Sequence, residues 1–211
     1  ILRTIVYFDI FNWPLRAEEI WKWLYNTNPK CNPTINDILK IVQHEGDFCF
    51  RLKRYRFAEK KYKRALRFAK IAYFFPFIKM IAICNDLGYS NAPQKSDIDL
   101  FIITTRKKIW TARFFVTGFL KIFGLRPGEA KNNAICPSFF IDEDNLNLEK
   151  LALKNQQGEI DDPHFVYWLN QMTPILDKNK TYKKFRQSNQ WIKKFLPNIY
   201  DYKPSNRRKI C

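Results

Sequence analysis

Two aspartates, Asp97 and Asp99, lie two residues apart at the start of an apolar segment, and their type and spacing suit metal chemistry. Alternate side chains of a β-strand point to the same face, so both carboxylates are expected on one edge, with Ile98 and Leu100 buried beneath. Two like charges about 5 Å apart repel by roughly 3 kcal/mol at an effective dielectric near 20, which favours a cation between them. Mg²⁺, or Mn²⁺ in its place, binds one or two carboxylates together with substrate phosphates and is therefore the expected metal.

Two predicted strands and the loop between them must position these carboxylates. Residues 77–84 form a continuous apolar run between Pro76 and a polar turn, which predicts a buried strand. The loop of residues 85–95 leads into residues 96–103, a second strand that begins with the acidic pair and ends entirely apolar. The pair is therefore expected where the loop enters the second strand.

A helix and a third strand follow. Residues 108–123 predict a helix that ends at Gly124, and residues 134–141 predict a strand that runs directly into Asp142 and Glu143. The large apolar side chains of the helix are expected to be mostly buried. They are Trp110, Phe114, Phe115, Phe119, Leu120 and Phe123.

The order of apolar strand, polar turn, loop of about ten residues, Ser-Asp-Ile-Asp-Leu and apolar strand resembles the nucleotidyltransferase domain of the DNA polymerase β superfamily, in particular its small bacterial members. The matching stretch, residues 81–103, reads IAICNDLGYSNAPQKSDIDLFII, and the resemblance extends over about residues 57–146. It implies Mg²⁺-dependent transfer of a nucleoside monophosphate from a nucleoside triphosphate to an acceptor hydroxyl, with release of pyrophosphate. Asp97 and Asp99 would be the catalytic metal ligands.

The resemblance also points to a nucleotide-binding turn. Members of the superfamily carry a Gly-Ser pair after the first strand, whose backbone and hydroxyl hold the triphosphate. Here Asn85 and Asp86 occupy that position, so a carboxylate stands where the superfamily has a neutral hydroxyl. Ser90 offers an alternative hydroxyl, and Lys95 and Ser96 precede the acidic pair as further nucleotide-binding candidates.

A third catalytic carboxylate often lies on the next strand in that superfamily, where it activates the attacking hydroxyl. The third predicted strand contains no acid within residues 135–141, so the resemblance assigns this role to Asp142, with Glu143 as the alternative. A capped strand end that runs into a turn explains both acids equally well.

Residues 1–56 predict a winged-helix-like unit. Three helices are expected at residues 2–10, 17–25 and 35–45. Thr34 and Asp37 fit a capping box at the start of the third helix. Residues 47–50 alternate as a short strand, and residues 51–55 would form the return strand of a basic hairpin, the wing.

A basic segment continues to about residue 70, with Glu59 as its only acid and aromatic residues between the cations. One interpretation is a helix with a solvated cationic face and a buried aromatic face. The other is a surface that contacts nucleic-acid phosphates, and the two are compatible. The nucleic-acid-binding candidates are Arg51, Lys53, Arg54, Arg56, Lys60, Lys63, Arg64 and Arg67.

Composition narrows the class of protein. A chain of 211 residues with 46% hydrophobic residues is globular, and its formal net charge of +17 favours polyanionic partners such as nucleoside triphosphates and nucleic acid. The six glycines spell neither a Walker loop nor a dinucleotide fingerprint. The five cysteines form no CxxC, which argues against disulfide scaffolding and zinc ribbons and favours a reducing cytoplasmic compartment. No secretory or membrane-spanning segment is apparent, so no membrane partner is expected.

We therefore predict an α+β protein with a small mixed sheet of nucleotidyltransferase type, flanked by helices. The predicted domains are residues 1–56, a core at residues 57–146, and a helical segment with a basic tail at residues 147–211. Three functions remain open. They are a metal-dependent nucleotidyltransferase, a catalytically degenerate nucleotidyltransferase fold that binds nucleic acid or regulates, and a DNA-binding regulator with residues 35–45 as its recognition helix and residues 51–56 as its wing.

Overall fold

The structure is a computed structural model that describes residues 1–25, 33–41, 48–130, 132–199, 208 and 210, with Phe48 described by its backbone alone. The helices are α1 (Leu2–Ile10), α2 (Ala17–Lys22), α3 (Ile35–Ile41), α4 (Phe48–Ala72), α5 (Asn85–Gly88), α6 (Ile109–Ile122), α7 (Pro163–Gln171) and α8 (Thr181–Ser188). The strands are β1 (Ile78–Ile83), β2 (Ile98–Thr104), β3 (Ile135–Asp142) and β4 (Thr173–Asp177). Short 3-10 helices lie at Glu149–Leu151 and Gln190–Lys194.

The four strands form one mixed sheet in the order β3-β2-β1-β4. Strand β1 runs antiparallel to both β2 and β4, whereas β2 and β3 are parallel. The parallel pair is connected through α6, as a crossover between parallel strands requires. The α+β class with a small mixed sheet and flanking helices is confirmed.

The sheet is covered on both faces because its central strands are apolar on both faces. On one face, Ile83, Leu100 and Ile102 join a core cluster with buried side chains of α4 and α6. On the other face, the Phe101 ring packs against Phe185 of α8 at a centroid distance of 5.3 Å. Strand side chains alternate, so Asp99 shares the α8 face with Phe101.

The chain divides into two compact units. Unit 1 comprises Ile1–Lys53, Leu151–Asn170 and Gln190–Tyr202, and unit 2 comprises Arg54–Lys150, Gln171–Asn189 and Lys203–Cys211. The first division falls three residues before the predicted boundary at residues 56 and 57. The predicted C-terminal domain, residues 147–211, is shared between the two units instead of forming one of its own.

The helices predicted in unit 1 are present, and the capping box at α3 is confirmed. The backbone N–H of Thr34 donates to Oδ2 of Asp37 at 3.0 Å, and the backbone N–H of Asp37 donates to Oγ1 of Thr34 at 3.3 Å. The third helix is described to Ile41, and residues 42–45 lie outside the described residues. The predicted recognition helix is therefore described only in part.

The wing predicted at residues 47–55 is wrong from Phe48 onward, because these residues belong to the 25-residue helix α4. Residue 47 lies outside the described residues. A buried stripe begins on α4 at Ala58 and recurs at Ala65 and Ala72. Once packing of that stripe has nucleated a helix, each added residue costs little free energy. The helix therefore extends towards the N-terminus through the short alternating stretch.

The predicted burial of the aromatic side chains on α6 is also largely wrong. Helix α6 faces the core through Ala112, Val116 and Leu120, which recur every four residues. Trp110 and Phe114 point to solvent instead. Both stripes are apolar, and a helical period alone does not say which of two apolar stripes meets the sheet. No helix in the described part of the chain is long and apolar enough to cross a membrane.

Candidate functional site

The acidic pair lies at the start of the central strand β2. Asp97 directly precedes the strand and Asp99 is its second residue, and both side chains are half-buried. Ile98 and Leu100 between and after them are fully buried. This alternation places the Asp99 carboxylate on the face opposite Ile98 and Leu100, while Asp97 lies just before the strand and close enough to Lys61 for its charge to act on that lysine.

Ser138 of β3 contacts this pair. Its Oγ donates a hydrogen bond to Oδ1 of Asp99 at 2.6 Å. The register pairs Leu100 with Pro137 and Phe101 with Phe139, so Ser138 is the extra residue of a β-bulge. A bulge re-aims a side chain out of the regular alternation, and here it turns a hydroxyl towards the acidic pair. Sequence reasoning missed Ser138, because the bulge has no signature in the residue types.

Two cysteines flank Asp99 in the sheet. The backbone N–H of Cys84 donates to the carbonyl of Asp99 at 3.2 Å, and Cys136 is its register partner on β3. Burial raises the pKa of the Cys84 thiol well above its ordinary value, and the nearby Asp99 and Cys136 add to the effect. The Cys84 thiol is therefore protonated at neutral pH and contributes no negative charge beside the carboxylates.

The turn after β1 begins beside Asp99. Asn85 has a backbone φ of 55°, in the left-handed region that glycine and asparagine adopt most readily. Asp86 follows in the first turn of α5, and its carbonyl accepts a hydrogen bond from the backbone N–H of Asn91 at 2.9 Å. Gly88 closes the turn against Gln171, whose carbonyl oxygen would lie 3.0 Å from an added Cβ. The turn is thus fixed in shape, and only a small residue fits its end.

Lys61 of α4 holds the loop that carries Asp97. Its side chain is only 1% exposed, although it is a lysine. Nζ donates to the carbonyl oxygens of Ser96 and Gln94, the latter at 3.4 Å, and to Oδ1 of Asn133 at 2.6 Å. Burial lowers the pKa of Lys61, while the charge of Asp97 raises it in part. Lys61 thus ties the loop before β2 to the segment before β3.

Sequence reasoning did not single out Lys61 among the many cations of α4. A signal was present in the helical spacing, because Lys61 lies three residues after Ala58 and four before Ala65, both buried. A cation on the buried stripe of a helix must find acceptors inside the protein. The spacing could therefore have separated it from its exposed neighbours.

Ser90 and Arg208 form a second polar group near the turn. Nη1 of Arg208 donates to Oγ of Ser90 at 3.0 Å, and the guanidinium also pairs with Glu59. It lies 4.0 Å from the ring centroid of Tyr62. Burial opposes the charge of Arg208, but the hydrogen bonds that its guanidinium donates to Glu59 outweigh burial and raise the pKa of Arg208. The Ser90 hydroxyl is therefore held within the fold, and the basic tail is anchored at Arg208.

Ser96 and Lys95 occupy different settings. Oγ of Ser96 donates to the carbonyl of Pro93 at 3.1 Å and so stabilises the loop before Asp97. The Lys95 side chain is exposed. Of the predicted nucleotide-binding residues, Ser96 is engaged inside the loop, and Lys95 is a cation at the surface.

The structure does not bring Asp142 to the acidic pair, which corrects its prediction as the third catalytic carboxylate. Strands β2 and β3 are parallel, so Asp142 pairs with Thr104 at the far end of β2 from Asp99. Its Oδ1 accepts a hydrogen bond from Nδ2 of Asn145 at 2.7 Å, and its Oδ2 accepts one from the backbone N–H of Lys107 at 3.3 Å. Asp142 caps a turn, and Glu143 follows it at the same end.

The predicted nucleic-acid-binding cations fall into two sets. A stripe of exposed cations runs along α4 at intervals of three and four residues. It comprises Lys53, Arg56, Lys60, Lys63, Arg67 and Lys70. Arg54 and Arg64 are half-buried. Arg51 instead forms a bidentate ion pair with Glu19, both contacts at 2.6 Å, and lies 4.2 Å from the centroid of the Trp13 ring. Its role is structural, within unit 1.

Metal binding at this site would depend on the acidic pair. Among the described residues, no group of three or more His, Cys, Asp and Glu side chains is arranged to hold a metal ion. Asp97 and Asp99 supply two half-exposed carboxylates, a donor set that suits Mg²⁺ when phosphate oxygens complete its coordination. The site therefore fits a metal that arrives with a phosphorylated ligand better than a metal held by protein alone.

Comparisons with models of known protein families, with curated proteins and with solved structures found no match. The function is accordingly argued from the residues and their geometry.

Proposed function

We propose that unit 2 is a metal-dependent nucleotidyltransferase core that binds a nucleoside triphosphate at Asp97 and Asp99 and transfers its nucleoside monophosphate to an acceptor hydroxyl. One observation carries the proposal: two half-buried carboxylates lie two residues apart at the start of a central strand, whose backbone is hydrogen-bonded to the residue before the left-handed turn at Asn85. Carboxylates that bind the metal and a tight turn beside them are the two parts that a metal–triphosphate complex requires.

In this proposal, Asp97 and Asp99 bind the metal and orient the triphosphate. Mg²⁺ supplies charge neutralisation of the phosphates and of the leaving pyrophosphate. Lys61 keeps Asp97 in place through its bonds to the preceding loop, and it stays too deeply buried to contact phosphate itself. The resemblance to the DNA polymerase β superfamily supports the same assignment.

A second candidate is a nucleotide-binding module without transfer activity, and two residues favour it. Ser138 occupies the position beside Asp99 where an activating carboxylate would be needed. A serine hydroxyl has no proton-accepting capacity comparable to a carboxylate near neutral pH. Asp86 adds a negative charge to the turn that would receive the phosphates. If the acceptor supplies no proton-accepting group of its own, the site would bind the triphosphate without transferring its nucleoside monophosphate.

The test is isothermal titration calorimetry of each of the four nucleoside triphosphates with Mg²⁺. The wild-type chain is compared with the double variant Asp97→Asn/Asp99→Asn. The variant Asp9→Asn/Glu18→Gln is the matched control, since it removes two exposed carboxylates from unit 1. We expect one or more triphosphates to bind the wild type and the control, and at least about tenfold weaker binding to the site variant.

A pyrophosphate-release assay on the same samples separates the two candidates. Metal-dependent release that is lost in Asp97→Asn/Asp99→Asn supports the transferase. Triphosphate binding without pyrophosphate release, when hydroxyl acceptors including RNA and sugars are added in turn, supports the nucleotide-binding module. Absence of binding to the folded wild-type chain would overturn both.

A further inference from the structure

The outer face of α6 is unusually apolar for a surface helix. Its exposed large apolar side chains are Trp110 (79%), Phe114 (74%) and Ile122 (81%), followed by Phe123 (61%) just after the helix. Trp110, Phe114 and Ile122 fall on one ridge of residues four apart, with Gly118 between them leaving open space. The opposite face of α6 packs in the core. Helix α6 is therefore apolar on both faces, and only one of the two faces is covered by the protein.

The apolar surface continues beyond α6. Phe74, two residues after the end of α4, is 81% exposed. Its neighbour Phe75 contacts Phe115 of α6, with 6.5 Å between ring centroids, so the end of α4 lies next to α6. Contiguous exposed apolar patches on a protein surface generally mark an interaction site.

The segment that carries this outer face is basic, although Asp142, Glu143 and Asp144 lie beside its N-terminal end and contact Arg106 and Lys107 there. Residues 105–128 contain six cations and no acid. Lys107, Lys108 and Lys121 are exposed at the two ends of the ridge. Cations at a helix N-terminus oppose the helix dipole, so Lys107 and Lys108 do not serve the stability of α6. An apolar ridge bordered by lysines is complementary to a surface that is both apolar and negatively charged.

A second copy of the chain fits this face poorly, because it would bring the same lysines together in a protein whose formal net charge is +17. A nucleic acid supplies negative charge and its bases stack on flat aromatic side chains, but Ile122 at the end of the ridge offers no such platform. An anionic bilayer accepts Trp, Phe and Ile at its interface while its headgroups attract lysine.

We propose that the outer face of α6 docks unit 2 on the surface of a membrane rich in anionic phospholipid. Trp110, Phe114 and Ile122 enter the interfacial region, and Lys107, Lys108 and Lys121 contact the headgroups. No residue needs to span the bilayer. Asp99 lies on the opposite, α8 face of the sheet, so docking through α6 leaves it accessible. The proposal therefore does not depend on the proposed function.

The test is flotation of the full chain with vesicles of phosphatidylcholine alone or with about one third phosphatidylglycerol. We expect binding to the anionic vesicles only, reduced by high salt. The variant Lys107→Gln/Lys108→Gln/Lys121→Gln removes the cations, and Trp110→Ser/Phe114→Ser/Ile122→Ser removes the ridge. Each is expected to weaken partitioning at least about tenfold, since each removes three side chains that contact the headgroups or the interfacial region.

Matched controls remove the same kinds of side chain elsewhere. Leu151→Ser/Leu153→Ser replaces exposed apolar residues in unit 1, and Lys183→Gln/Lys184→Gln replaces exposed lysines of α8. Both are expected to bind vesicles as the wild type does. All substituted positions are at the surface, so the variants should fold, and circular dichroism checks this.

Four results would overturn the proposal. The first is absence of wild-type binding to anionic vesicles, and the second is equal binding by the ridge variant and the wild type. The third is a stable dimer in analytical ultracentrifugation that the ridge variant abolishes, which would assign this face to self-association. Loss of single-stranded RNA binding in the ridge variant, without loss of vesicle binding, would assign it to nucleic acid.

Discussion

Oγ of Ser138 lies 2.6 Å from Oδ1 of Asp99 and donates a hydrogen bond to it from the bulge of β3. The bulge gives the acidic pair a third neighbour on the next strand, and that neighbour is a hydroxyl. A side chain at position 138 therefore lies where a third metal ligand could be placed, but the serine there carries no negative charge.

Replacing Ser138 with aspartate should convert this neighbour into a carboxylate. In the variant Ser138→Asp, repulsion between like charges should lower the melting temperature by a few degrees without metal, and Mg²⁺ should restore it. We expect Mg²⁺ and Mn²⁺ to bind at least about tenfold more tightly than to the wild type, because a third carboxylate adds charge to the site.

Thermal unfolding with and without Mg²⁺, together with calorimetry, measures both effects. Ser138→Ala is the control, since it removes the hydrogen bond without adding charge and should leave metal affinity within about twofold. A Ser138→Asp chain that is destabilised and gains nothing from metal would show that position 138 does not border a metal site.

Lys61 should matter for stability far more than its exposed neighbours. The variant Lys61→Met leaves the carbonyls of Ser96 and Gln94 and the Asn133 side chain without their buried donor, at a cost of about 2–4 kcal/mol in the free energy of unfolding. Urea unfolding measures the loss. Lys60→Met and Lys63→Met are matched controls on the same helix and should stay within about 0.5 kcal/mol of the wild type.

The buried lysine also predicts a pH dependence. Burial holds the pKa of Lys61 below its ordinary value of 10.5, so just below pH 10.5 the unfolded chain binds a proton that the folded chain has released. The stability of the wild type relative to Lys61→Met should therefore rise as pH increases towards 10.5. A difference that stays flat over that window would mean that Lys61 is solvated in the folded protein.

The cysteines provide a probe of ligand binding. Burial raises the pKa of Cys84, so iodoacetamide at about pH 8 should alkylate exposed Cys49 fastest, half-buried Cys136 more slowly, and Cys84 only after unfolding. Because Cys136 pairs with Asp99, a bound Mg²⁺–nucleoside triphosphate should slow its alkylation. Peptide mass spectrometry follows each site.

Cys49 serves as the internal control in that experiment, since it lies in unit 1 and should react at the same rate with and without ligand. Asp97→Asn/Asp99→Asn should abolish the protection of Cys136. Equal protection of Cys49 and Cys136 would point to a global change and not to a ligand at the acidic pair.

Arg51 should contribute to stability instead of nucleic-acid binding. The variant Arg51→Met breaks the bidentate pair with Glu19 and the contact with Trp13, and should cost about 2 kcal/mol in urea unfolding at pH 7. Burial opposes ionisation of Glu19, but Arg51 outweighs it and lowers its pKa. The stabilisation from the Arg51–Glu19 pair is thus complete above pH 4.5, the ordinary pKa of glutamate, and is lost as pH falls through the lower pKa of Glu19 in the folded protein.

Lys53→Met is the matched control for Arg51→Met, because Lys53 is an exposed cation two residues away. It should leave stability unchanged. An Arg51→Met chain as stable as the wild type, with weakened nucleic-acid binding, would reverse the structural assignment of Arg51.

The exposed stripe of α4 should govern any polyanion binding by unit 2. The variant Lys60→Gln/Lys63→Gln/Arg67→Gln should weaken binding of single-stranded RNA in fluorescence anisotropy and reduce the slope of log K against log salt by about 2. Lys183→Gln/Lys184→Gln is the control on α8. If the salt slope does not change in the triple variant, the stripe is a solvated face.

Strands β1 to β3 and the acidic edge are predictable from the sequence for a local reason, whereas β4 lies in the segment for which the sequence predicts only helices. Residues 77–84 and 96–103 are apolar runs bounded by polar turns, and β1 and β2 lie within two residues of the predicted limits at every end. The half-exposure of Asp99 follows from strand alternation alone. The α3 capping box was predictable for the same reason, since it depends on residues three apart.

The remaining features depend on tertiary packing. Strand direction decides which end of β3 reaches Asp99, and the parallel pairing with β2 puts Asp142 at the wrong end. Likewise, the sheet selects the stripe of Ala112 and Val116 on α6 over the larger aromatic stripe, because small side chains let the helix pack closely. Neither the direction of β3 nor the face of α6 that meets the sheet can be predicted from the local order of residue types.

The sheet order has a consequence for synthesis of the chain. Strand β1 pairs with β2 across about 20 residues but with β4 across about 90, so closing the second pairing costs about 1.3 kcal/mol more in chain entropy. During translation the acidic edge can therefore form long before β4 exists. At roughly 5–20 residues per second, the apolar outer edge of β1 stays unpaired for roughly 5–20 s, a period in which neighbouring nascent chains compete with β4 for it.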